Sequence, residues 1–143
     1  MSKNDLRGLA RRWYNQANKG KAAAMVVTDE IYATNVVLHT TTGEDVRGLD
    51  GLKQRIGELY DGFPDIQGHI DDMIVEGDKI VIRYTMTGSH KGEFMGVPAS
   101  NKKVTIKVIE IDRCVGDKAV EAWAIMDALG LMQQLGAVPM PKK

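Results

Sequence analysis

EAWAIMDALGLMQQLG, residues Glu121 to Gly136, puts a strand, a single acid and a short helix into one stretch. Trp123 and Ile125 lie two apart, so on a strand they share a face with Asp127 at its end, and side chains of that size predict a face turned to the core. Leu129, Met132 and Leu135 then recur at helical spacing, and Gly136 supplies a positive-φ residue to stop the helix. Asp127 therefore stands at a strand-to-helix junction. Surrounded by apolar groups, its charged form would be disfavoured and its pKa raised, as a general acid or base near neutrality requires. The alternative is that Asp127 caps the following helix.

Upstream, everything from Ile66 to this stretch reads as strand. The segments are 66–75, 79–89, 102–115 and 118–126, joined by Glu76-Gly77-Asp78 and Gly116-Asp117, turns short enough to make their neighbours antiparallel. Alternation puts Ile80, Ile82, Tyr84 and Met86 on the core side and brings His90 to the same side. In 102–115 the apolar series Val104, Ile106, Val108 changes parity to Ile109 and Ile111, which predicts a bulge near Val108 or a strand covered on both faces. The glycine- and proline-containing segment 88–101 predicts a loop across one end of the sheet.

The first half of the chain is mainly helical. A helix capped by Ser2 or Asn4 carries Leu6, Leu9, Trp13 and Ala17 on one side, and a second short helix is predicted over 21–27. Residues 34–39 read as a strand with Val37 and His39 on one face. A third helix begins at Gly51, carries Leu52, Ile56, Leu59 and Phe63, and is ended by Pro64. Helices followed by curled antiparallel strands predict an α+β fold in which the N-terminal helices close the concave face of a curved sheet and leave a cavity at one end. Residues 1–143 form one domain in this reading, with 138–143 a flexible tail.

Charge narrows the partners. The 19 basic and 19 acidic residues balance, so no positive field attracts nucleic acid or an anionic membrane. No apolar run is long enough to span a bilayer and no secretory h-region opens the chain, which predicts a cytoplasmic location. Cys114 is the single cysteine and is read as a free thiol.

Candidate chemistry rests on few residues. His39 ends an early strand, from which it could reach the cavity mouth or stay exposed; the parity of His69 with Asp71 puts it on the outer face. Three histidines on separate strands lack metal-ligand spacing, so no metal is expected. Asp71-Asp72 and Glu110-x-Asp112 are acidic pairs that could mimic paired carboxylates, although charged strand positions facing solvent are the usual explanation. Trp13, Tyr14, Tyr60, Phe63, Met86, Met95, Trp123 and Met126 offer apolar surface to a flat ligand, although most fit an ordinary core.

Several signatures occur together in a fixed order: Phe63-Pro64-Asp65; Gly77-Asp78 before a strand; Gly88-Ser89-His90-x-Gly92-x-Phe94-x-Gly96-x-Pro98; Trp123-x-x-x-Asp127; and Gln134-Leu135-Gly136. In this the chain resembles the SnoaL-like polyketide cyclases, also called ester cyclases, of the nuclear transport factor two-like superfamily, from the first helix to Gly136. The resemblance implies a cone-shaped α+β barrel that pairs as a homodimer through its sheet. It also implies a cofactor-free aldol ring closure in which Asp127 is the general acid/base and His90 lines the same pocket. An apolar carbonyl substrate would then be held by Trp13, His39, Phe63, Tyr84, Met86, Phe94 and Trp123. The chain departs from the commoner pattern at Ser89, where many relatives carry threonine, and at Arg113-Cys114-Val115-Gly116-Asp117. His90 would orient the substrate or stabilise an oxyanion, or else satisfy loop backbone groups. Two other functions fit the same fold: a non-catalytic carrier of a hydrophobic small molecule, and an isomerase or hydroxylase.

Overall fold

The computed structural model describes residues 3–141. Ser2, one of the two cap candidates, and the last two residues of the expected tail lie outside the described residues; Asn4 falls inside the first helix. In chain order the elements are α1 (Lys3–Ala17), α2 (Lys21–Ile31), β1 (Tyr32–Thr40), β2 (Val46–Arg47), α3 (Leu49–Gly62), β3 (Gln67–Glu76), β4 (Lys79–Ser89), β5 (Lys103–Val115), β6 (Lys118–Met126) and α4 (Ala128–Gln134). Among the described residues the strands make one six-stranded sheet in the order β2-β1-β6-β5-β4-β3.

The strands β3 to β6 are antiparallel neighbours, as their two short turns dictate, with glycines at φ 60° at positions 77 and 116. β1 breaks that pattern. It runs parallel to β6, pairing His39 with Trp123 and Thr40 with Ala124, so the sheet is mixed and open. A parallel pair needs a long crossover, here everything from β2 through β5.

The helices close the concave face by burying one stripe each. α1 buries Leu6, Ala10, Tyr14 and Ala17, while Leu9 and Trp13 from the predicted stripe border an internal space. Asn18, just past the end of α1, fastens that helix to β3 twice: its amide donates to the Gly68 carbonyl at 2.9 Å and accepts from the Gly68 N–H at 2.7 Å. α3 buries Leu52 and Tyr60, and the Tyr60 hydroxyl donates to the Ala17 carbonyl at 2.8 Å. Phe63, Ile66, Ile106 and Leu131 fill the core between the α3 terminus, β5 and α4.

Two strand faces differ from their sequence reading. On β5 the parity does not switch at Val108: Val104, Ile106 and Val108 are buried, and Glu110, Asp112 and Cys114 continue on that same concave side. Ile109 and Ile111 face the convex side. The register irregularity lies instead between Arg113 and Cys114, where β6 carries one extra residue, Val120, between Ala119 and Glu121. On β6 the large residues Trp123 and Ile125 are convex, Ile125 being 62% exposed, and the inward positions are Ala122, Ala124 and Met126. The apolar pattern misled because the convex face of this sheet carries large hydrophobics, whereas the concave face carries small residues and acids around a space.

Candidate active site

That space is a cavity of about 180 Å³ between the concave face of the sheet and helices α1 and α3. Ile80, Ile82, Tyr84, Met86, Val108 and Met126 form its sheet side, and Leu6, Leu9, Trp13, Tyr14, Leu52, Ile56 and Leu59 its helical side. Alanines at 119, 122 and 124 are the reason for the room: three inward positions of β6 stop at Cβ. Phe94, from the glycine-rich loop, also reaches the cavity.

Glu110 and Asp112 stand in this wall, two residues apart on β5 and therefore side by side on its concave face. Asp112 is 7% exposed, and its Oδ1 has no hydrogen-bond partner. Glu110 keeps more accessible surface, but that surface is the cavity wall. Burial raises both carboxyls above the ordinary carboxylate range; for Asp112 the neighbouring Glu110 charge adds to it, and for Glu110 hydrogen bonds from Asp112 and Tyr84 partly offset it. Two desolvated carboxyls side by side on one strand face disfavour carrying two charges at once.

Three phenols surround the acids. The Tyr84 hydroxyl lies 3.5 Å from Glu110 Oε1, the Tyr14 ring packs against the Tyr84 ring at 5.1 Å, and Tyr32 also lines the cavity. Burial raises all three phenol pKa values well above the usual figure, so they remain protonated donors. Cys114 completes this end; burial, then the Asp112 charge, pushes its thiol up to about 11, which keeps it from acting as a thiolate.

The residues predicted from sequence divide between this cavity and other places. Trp13, Tyr84, Met86 and Phe94 line it, and Trp13 Nε1 donates to Thr28 Oγ1 at 3.1 Å. Phe63 does not. It is fully buried behind the wall, with Phe94 at 5.2 Å on one side and His90 at 5.4 Å on the other. His90 is inward, as alternation predicts, yet it is enclosed below the loop: its Nδ1 accepts from the Ser100 N–H at 3.1 Å and lies 2.9 Å from Ser100 Oγ. Because Nδ1 accepts, the neutral ring carries its hydrogen on Nε2, which is buried without a partner. Satisfying loop backbone groups is the role this geometry gives it.

His39 and Trp123 sit on the convex face, outside the cavity, with rings stacked at 5.3 Å. His39 Nε2 is 2.7 Å from Glu121 and Nδ1 2.9 Å from Asp45, and these carboxylates raise its pKa, Glu121 contributing most. Arg113 donates to the other Glu121 oxygen at 3.2 Å. Asp127 does not meet the expected apolar wall. It is exposed, and its Oδ1 accepts from the Gly130 N–H at 2.9 Å as the N-cap of α4. Of the two readings of that acid, the cap is the one the geometry fits. The acids that do face an apolar wall, Glu110 and Asp112, were read as solvent-facing; their even parity, unbroken from Val104, is the signal that marks them.

A curved mixed sheet closed by helices over a cavity with acids on its inner wall defines a nuclear transport factor two-like α+β protein. Its family follows from the sequence: the profile of the SnoaL-like polyketide cyclases matches residues 8–135, and the chain belongs to that family. Among solved structures, TsrD from Streptomyces laurentii is 27% identical, with TM-score 0.85 over 96% of this chain and 99% of that one. AclR from Streptomyces galilaeus, provisionally assigned as a hydroxylase, is 26% identical with TM-score 0.83, covering 99% and 87%. A protein from Jannaschia sp. CCS1, provisionally assigned as a SnoaL-like polyketide cyclase, shares the fold at TM-score 0.87 with 22% identity, covering 97% and 98%. No curated protein matches significantly.

Proposed function

We propose that the cavity is the active site of a small-molecule enzyme that closes a ring in an apolar carbonyl compound by intramolecular aldol addition, with the Glu110–Asp112 pair as acid and base. The observation that carries this reading is the position of two desolvated carboxyls side by side in a largely apolar wall. The ionised member takes a proton from the carbon next to a carbonyl. The resulting enolate carbon attacks a second carbonyl of the same molecule, forming the carbon–carbon bond, and the alkoxide oxygen takes a proton back from the pair. Tyr14 and Tyr84, protonated and close by, supply hydrogen bonds to the enolate oxygen. Atoms and oxidation level are conserved, so the step calls for no redox partner.

Asp127 is the acid that the family resemblance points to, but its exposed capping position lacks the desolvation a general base near neutrality needs. The test separates the two. The α-protons of 2-tetralone in D₂O report proton abstraction without any knowledge of the natural substrate. Wild-type protein is expected to accelerate their exchange, and Glu110→Gln/Asp112→Asn to lose that acceleration by about a hundredfold or more. Unchanged exchange in the double variant would refute the assignment.

Similarity to AclR supports a second reading, hydroxylation in the same cavity; the product would then gain the mass of one oxygen. A carrier role predicts occupancy of the cavity without exchange.

The convex face supports a homodimer. Ile109 and Ile125 are direct cross-strand neighbours there, 49% and 62% exposed, with Trp123 beside them. An apolar patch of this kind on the open side of a sheet is the surface at which two copies would pair.

A further inference from the structure

At the mouth of the cavity a cation stands without a counterion. Arg55, on α3, lines the cavity and donates from its guanidinium to Thr42 Oγ1 at 2.7 Å. Among the described residues, Arg12, Arg47, Arg83 and Arg113 have carboxylates within ion-pair distance, while Arg7, Arg11 and Arg55 have none, and of these three it is Arg55 that lines the apolar cavity. The same wall carries Leu38, Leu52, Ile56 and Leu59 beside the threonines at 40, 41 and 42. A half-buried guanidinium beside a largely apolar cavity gives up hydration, and holding one threonine hydroxyl uses one of its five N–H donors. A neutral side chain would hold Thr42 as well. The charge itself remains unused.

The position of this cation relative to the acids is set by the sheet. Thr40 pairs with Ala124 and Ala124 pairs with Glu110, so Thr40 and Glu110 lie in one row, two strand spacings or roughly 10 Å apart. Thr42, which Arg55 grips, lies two residues beyond that row's edge. The cavity is therefore electrostatically divided, with carboxyls on β5 at one end and an unneutralised guanidinium at the other.

We propose that Arg55 binds a carboxylate on the substrate, which makes the substrate class an apolar, ring-sized carbonyl compound carrying a carboxylate at the end remote from its reacting carbonyl. This rests on the cavity being the active site. Such a ligand has one favourable orientation. With its carboxylate at Arg55 the reacting carbonyl meets the acids and phenols; reversed, its charge would face Glu110 and Asp112 across an apolar space. Arg55 thereby selects both the substrate and its direction of entry.

The test uses two probes of nearly equal shape, 2-naphthoate and the neutral ketone 2-acetonaphthone, titrated calorimetrically near neutral pH. Wild-type protein is expected to bind 2-naphthoate about tenfold or more tightly than the ketone. In Arg55→Gln the carboxylate is expected to weaken to within about twofold of the ketone, whose own affinity stays unchanged; Arg55→Lys retains part of the preference. Equal binding of the two probes by wild type, which needs no variant to observe, overturns the proposal, as does a preference that survives in Arg55→Gln. If neither probe binds, the cavity reading falls and this one with it. The two failures are distinguishable, because 2-tetralone exchange by wild-type protein and its loss in Glu110→Gln/Asp112→Asn test the acid pair with Arg55 left in place.

Discussion

Glu110 and Asp112 face the same cavity from successive inward positions of β5, where burial raises both carboxyls and the Glu110 charge raises Asp112 further. Such a pair is costly to the fold. Both carboxyls have raised pKa values, so between the ordinary carboxylate range and those raised values the folded protein binds more protons than the unfolded chain, and stability falls as pH rises through that window. Asp112→Asn removes one ionisable member and the mutual repulsion. The expected result is a gain of about 1–3 kcal/mol at neutral pH that shrinks toward pH 4, where the wild-type pair is protonated. Calorimetric melting at the two pH values measures it.

Asp127 separates capping from catalysis. Asparagine caps helices as well as aspartate, so Asp127→Asn is expected to leave both the melting temperature and 2-tetralone exchange close to wild type. Asp127→Ala loses the acceptor for the Gly130 N–H and is expected to cost about 1 kcal/mol in urea unfolding, again without loss of exchange. A collapse of exchange in Asp127→Asn would return the catalytic role to that residue.

The glycine-rich loop is held by steric fit. A Cβ on Gly92 would stand 2.1 Å from the Asp61 carbonyl oxygen, and Gly92 N–H donates to the Gly62 carbonyl at 3.1 Å, so the loop runs directly against the end of α3. The obstacle is backbone, which cannot swing aside as a flexible side chain can. Gly92→Ala is therefore expected to lose about 2–4 kcal/mol in urea unfolding and to displace Phe94 from the cavity wall. A stability loss under about 0.5 kcal/mol would contradict this packing.

The Ile109–Ile125 pair offers a test of association. Ile125→Asp puts a charge in the middle of the exposed apolar patch, which an interface would have to desolvate. Sedimentation velocity is expected to show a wild-type dimer and a monomeric variant, with a monomer fold intact by circular dichroism because the position is solvent-facing within one chain. A wild-type monomer would dismiss the convex face as an interface.

Much of the fold was legible along the chain because its signals are local. The bounds of β4 and β6, the turns at Gly77 and Gly116, the helix stop before Pro64 and the cap-and-glycine frame of α4 each depend on residues within a few positions of one another. The order of motifs, also a property of sequence, pointed to the SnoaL-like family. The parallel pairing of β1 with β6 was not legible, since no neighbour in sequence specifies a partner some eighty residues away.

The sidedness of the sheet was decided by tertiary structure. Alternation identifies two faces of a strand but labels them by hydrophobicity, and here the rule inverts: Trp123 and Ile125 are outside, while Ala122 and Ala124 are inside. The cavity exists because inward positions of β6 are small, and two acids of β5 point into it. Both features make the inner face look less like a core than the outer one. The sequence alone determined the elements, their order and the family. Only the packed sheet decided that Asp127 caps a helix in solvent and that Glu110 and Asp112 face the cavity, because burial is a property of what lies opposite a residue in space.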